Sequence, residues 1–81
     1  MFTLQPCADK GGLSAKLAQP RTLNLHAISV HFHTIISTPH VIVIKTDAGE
    51  AIVHSYGEII FKEAKDENAI KRIAETIFEC A

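Results

Sequence analysis

Three histidines fall in the β-forming run VHFHTIISTPHVIVI, residues 30–44, and a further one stands at position 54. Imidazole binds metals and exchanges protons near neutral pH, so these are the side chains with the most chemistry on offer. His31 and His33 are two apart. On a strand both project from one face, about 6.5–7 Å apart, a spacing that lets two rings converge on one ion. His54 is the candidate third ligand. His40, Tyr56 or an acidic residue would then have to complete a zinc site, because zinc takes a nearly closed tetrahedron of ligands. Zinc is the one cofactor these residues suggest, and the same rings would suit acid–base work. The plainer reading is half-buried rings at a sheet edge or interface, each satisfied by a hydrogen bond.

Other chemistry is poorly served. A nucleophilic Ser–His or Cys–His pair needs an orienting carboxylate, and the carboxylates fall in a turn, at strand ends, on a helix or near the N-terminus. No phosphate-cradling glycine motif is present, and Gly11-Gly12 reads as a flexible bend. Cys7 and Cys80 lie near opposite ends without CxxC spacing, which signals neither a metal knuckle nor a redox pair. The expectation is a non-enzymatic protein.

These residues must be positioned by a small domain. At 81 residues the chain is near the size where one core leaves a thin stability margin, so a partner is expected. With 47% hydrophobic residues and no Trp, the core must be built mainly from Ile, Val, Leu and Ala. A net charge of −1 gives no long-range attraction for nucleic acid or an anionic membrane surface. No apolar run approaches the roughly 20 residues a bilayer span needs, and the start lacks signal-peptide character, so the expected location is cytoplasmic.

Residues 1–22 carry Pro6, Gly11, Gly12 and Pro20 and read as a loosely structured arm, with one helical turn or a short edge strand at most. Residues 23–81 read as a single α+β domain. Turn signals at STP, DAG and YG divide the β-rich part into about four strands, near 23–36, 40–46, 51–56 and 58–64, joined as an antiparallel meander. Asp66 is a good N-cap, and Ile70, Ile73, Ala74, Ile77 and Phe78 recur with helical spacing. That predicts a C-terminal amphipathic helix over 67–80, packed on one face of the sheet.

Pairing Thr46 with Ala51 and Ser55 with Glu58 sorts the strand residues onto two faces. One face collects Val41, Val43, Ile52, Ile59 and Phe61. The other collects Ile42, Ile44, Val53 and Ile60. Both are apolar, and a single helix covers only one. The second set is therefore the expected interface, covered by another copy of the chain, by the arm or by a foreign protein.

The passage EAIVHSYGEIIFKEAKDENAIKRIAETI resembles the strand–turn–strand–helix passage of one repeat of TATA-binding proteins, through Ala51 to Val53, Ser55, Gly57, Ile59, Ile60, Ala64 and Lys65. The resemblance implies a curved antiparallel sheet with a helix on its convex side and an open concave side. His54 stands where such proteins place an aromatic wedge, and Glu58 where they place a DNA-facing lysine. A carboxylate repels the phosphates it would have to meet, so DNA binding is not implied. The functional expectation is a small assembly or binding module acting as a homo-oligomer. A histidine-based ligand or metal site is the alternative, followed by a nucleic-acid-associated role by analogy of fold.

Overall fold

The computed structural model describes residues 2–6, 12–63 and 66–80. Its strands are β1 (Phe2–Pro6), β2 (Leu13–Leu17), β3 (His33–Ser37), β4 (Val41–Thr46), β5 (Gly49–His54) and β6 (Glu58–Phe61). Its helices are α1 (Leu25–Ser29) and α2 (Glu67–Cys80). The strands make one sheet in the order β1-β2-β6-β5-β4-β3, and every pairing is antiparallel. The α+β class and the C-terminal helix match expectation; among the described residues the sheet has six strands where about four were expected.

Part of the difference comes from the N-terminal stretch. Much of what reads as a loose arm is a hairpin, with Phe2 opposite Leu17 and Pro6 opposite Leu13, and β2 pairs directly with β6. Phe2, Leu4, Leu13, Ala15 and Leu17 alternate with polar residues, so all point to the core face. The division at residue 22 is thus not a boundary between arm and domain. The expected long strand over 23–36 is also two elements. Asn24 accepts a hydrogen bond from the Ala27 amide at 3.1 Å, which caps α1, and Leu25 and Ile28 turn into the core from that short helix. The chain resumes as β3, which carries an irregularity between Thr34 and Ile36.

Helix α2 begins where the sequence predicts. The Asp66 carboxylate accepts from the amides of Asn68 and Ala69 at 3.1 and 3.2 Å. Ile70, Ala74, Ile77 and Phe78 are buried in the same core cluster as Ile42, Ile44, Ala51, Val53, Ile59 and Phe61 of the sheet. At its far end Arg21 donates to the Phe78 carbonyl at 2.8 Å, satisfying one of the acceptors that a helix C-terminus leaves open.

The decisive detail is the β5–β6 turn. His54, not Ser55, lies opposite Glu58, so Ser55, Tyr56 and Gly57 form the connection. Gly57 has φ +108° and is buried against Leu17, a conformation and a space that suit a residue without Cβ. One added turn residue moves every β6 side chain to the opposite face relative to β5. Ile59 and Phe61 therefore join Ile42, Ile44 and Val53 under the helices, and Ile60 joins Ile52, Val43 and Val41 on the other side.

Candidate functional site: the open face of the sheet

Both helices contribute to the core on one side of the sheet, which leaves the other side as the surface where chemistry-bearing residues gather. Its middle is a cross-strand apolar row. Ile60 lies opposite Ile52, Ile52 opposite Val43, and Val43 opposite Ile36. Ile36 is 51% exposed and the other three are half-buried. Ser14 extends the row on β2, opposite Ile60.

Two polar rows flank it. Toward the β5–β6 turn, Lys16, Glu58 and His54 stand side by side on successive strands, with the apolar Val41 next to His54 on β4. Toward the β4–β5 turn, Glu50 lies opposite Lys45, and Lys45 opposite His33. Lys62, just past β6, completes this second row through an ion pair with Glu50 at 3.2 Å. Because both partners are well exposed, that pair contributes little to folding.

Glu58 is the best-anchored charge on the face. Ser14 Oγ donates to Oε2 at 2.7 Å and Tyr56 OH donates to Oε1 at 2.7 Å, so both carboxylate oxygens are held. The hydrogen bond from Ser14 and then that from Tyr56 keep this carboxyl below the ordinary carboxylate range, with smaller help from the charges of Lys16 and His54. The same Glu58 raises the Tyr56 phenol above its usual value, first through the hydrogen bond. His54 stacks on Tyr56 with ring centroids 5.1 Å apart. Ser14 bonds to the carboxylate and not to an imidazole, so the cluster lacks the order of contacts that activates a serine.

Of the histidines read as a metal set, His31 and His33 border one depression and His54 is not brought to them. His31 lies in the turn after α1, where it borders a shallow depression with His33, Lys45, Asp47 and Ile73. His54 pairs with Val41, whereas His33 pairs with Lys45, about 13 Å further along β4. His40 borders a separate open cleft with Asn24, His26 and Ser55. Among the described residues no group of three or more His, Cys, Asp and Glu is arranged to hold a metal ion.

The expected interface residues need correction. Ile42, Ile44 and Val53 are 1%, 0% and 0% exposed beneath the helices, and only Ile60 of that set lies on the open face. The difference follows from the turn length: a two-residue YG connection would put Ile60 with Val53, whereas the three-residue turn puts it with Ile52. Residue type alone does not mark Ser14 as a site residue, although the alternation in LSAKL carries the signal. Cys7, Gly11, Ala64 and Lys65 lie outside the described residues. Among those described, no helix is long and apolar enough to cross a membrane. No protein-family model, no curated protein and no solved structure matches the chain.

Proposed function

We propose that the protein is a small non-enzymatic assembly module that associates with itself through the open face of its sheet. The observation that carries the reading is the uninterrupted row Ile60, Ile52, Val43 and Ile36, which crosses adjacent strands on the side the helices do not cover. A side chain of this size gains about 1.5–3 kcal/mol on going from exposed to fully buried, of which the partly covered Val43, Ile52 and Ile60 would gain the remaining fraction. A face pairing with its own copy supplies both halves of the contact. Aligned packing of two sheets, face on face, is a standard way to bury such a row.

Pairing along the β3 edge fits less well. Strand β3 is short and irregular between Thr34 and Ile36, and bulges of this kind spoil the ladder a second chain would extend. A nucleic-acid partner is disfavoured because this surface carries no basic patch: Lys16, Lys45 and Lys62 are interleaved with the carboxylates of Glu50 and Glu58. The open depression shared by His31 and His33 supports a ligand site less well than the row supports a protein contact.

The test is the mass of the intact chain in solution by sedimentation across low to high micromolar concentration. The reading predicts a dimer or higher oligomer that dissociates on dilution. A monomer throughout that range contradicts it.

A further inference from the structure

If the open faces pair, their charges restrict how. Glu58 and Lys62 lie on either side of Ile60 along β6, and His54 and Glu50 lie on either side of Ile52 along β5. The two strands occupy the middle of the sheet. A rotation about the apolar row returns each row residue onto its own copy and exchanges the two polar rows. Strands of stacked sheets cross at about 30°, which spreads the edges apart but keeps the central strands nearly superposed.

Resting on the self-association reading, we infer that two copies pack about a two-fold axis running along the row Ile60–Ile52–Val43–Ile36, so that Glu58 of each chain meets Lys62 of the other. His54 then opposes Glu50 of the second copy, so the opposed central positions carry complementary groups. Ser14 and Tyr56 fix the Glu58 carboxylate in place before the encounter, so little of its freedom is lost on pairing. The incoming Lys62 already leans on Glu50, which draws the contacts into one network. The other axis that superposes the apolar row runs parallel to the strands between β4 and β5. It sets Glu50 against Lys45 of the second copy but Lys62 against His33, and it gives Glu58 no cation. The first arrangement is favoured because it alone gives both Glu58 and Glu50 a complementary group on the facing chain.

Charge exchange tests this directly. Sedimentation equilibrium at low salt is run on the parent chain, on Glu58→Lys, on Lys62→Glu, and on an equimolar mixture of the two variants. Each variant alone places like charges together twice and is expected to raise the dimer Kd by about fivefold or more. In the mixture both pairs are again opposite in sign, so a heterodimer of near-parental affinity is expected, as is recovery in the double variant Glu58→Lys/Lys62→Glu. Thermal melts show whether each variant is folded. Should Glu58→Lys lose its fold with its Ser14 and Tyr56 contacts, Glu58→Gln keeps the shape and is expected to weaken the dimer and flatten its salt dependence. Unchanged association of folded variants, or rescue between Glu50→Lys and Lys45→Glu in place of the named pair, overturns the proposed axis while leaving self-association standing. A monomeric parent chain overturns both.

Discussion

His54 and Glu58 face one another across the β5–β6 pair, with Ser55, Tyr56 and Gly57 as the turn between them. That single register relation decides which apolar residues belong to the core. It also places the Tyr56 ring beside His54 and the Tyr56 hydroxyl on Glu58, so the turn builds the polar end of the open face as well as setting the pleat.

Gly57 is where this turn is most sensitive. Its φ of +108° is strained for an L side chain, and a Cβ would come within 3.0 Å of Leu17 Cδ1. Gly57→Ala is expected to cost about 1–3 kcal/mol, read as a lower urea midpoint at unchanged slope. A midpoint equal to that of the parent would show that the turn does not hold this conformation.

The Glu58 carboxylate gives stability a defined pH dependence. Its folded-state pKa lies below the ordinary 4.5, so its contribution is present above about that pH and is lost as pH falls through the lower folded value. Glu58→Gln should therefore lower stability by about 1 kcal/mol at neutral pH and by much less in acid. Parallel stability curves for parent and variant from neutral to acid pH would contradict the pairing with Ser14 and Tyr56.

Helix α2 depends on its first turn. Asp66→Ala removes the acceptor for the amides of Asn68 and Ala69 and a negative charge near the positive end of the helix. A loss of about 1 kcal/mol is expected in a denaturant titration. Asp66→Asn, which keeps the capping oxygen, should recover most of it.

The separation of His54 from His31 and His33 makes a metal prediction. Changing both His31 and His33 to Gln is expected to shift stability by under about 0.5 kcal/mol, with the melt of parent and variant indifferent to chelator and to added zinc. Stoichiometric zinc in the purified parent, lost in the double variant, would contradict this.

How much of this was legible in the sequence differs by element. The helix over 67–80 was plain because Asp66 and the spacing of Ile70, Ala74 and Ile77 agree on one start and one face. Strands β4 and β5 were plain because Ile, Val and Ala crowd them. Helix α1 was not, since in five residues Leu25 and Ile28 show only one helical interval, and the neighbouring β-branched residues outvote it. The β1–β2 hairpin was hidden by Ser14, Ala15 and Lys16, which are weak strand formers held by pairing to β6. The candidate site was half legible. Its histidines and carboxylates could be named, but their grouping depends on a turn one residue longer than the shortest hairpin, and sequence spacing alone does not fix that length.

Ile52 and Val53 are neighbours in β5 whose side chains point to opposite faces, and they put the central claim to its simplest test. The measurement is sedimentation with a parallel thermal melt on Val53→Asp and Ile52→Asp. Val53 is fully buried, so its variant should fail to fold, because a carboxylate buried without a partner costs several kcal/mol, on the order of the stability of a whole small domain. Ile52→Asp should keep a cooperative melt and sediment as a monomer where the parent is associated. A folded, associated Val53→Asp, or an Ile52→Asp that self-associates as the parent does, would contradict the account.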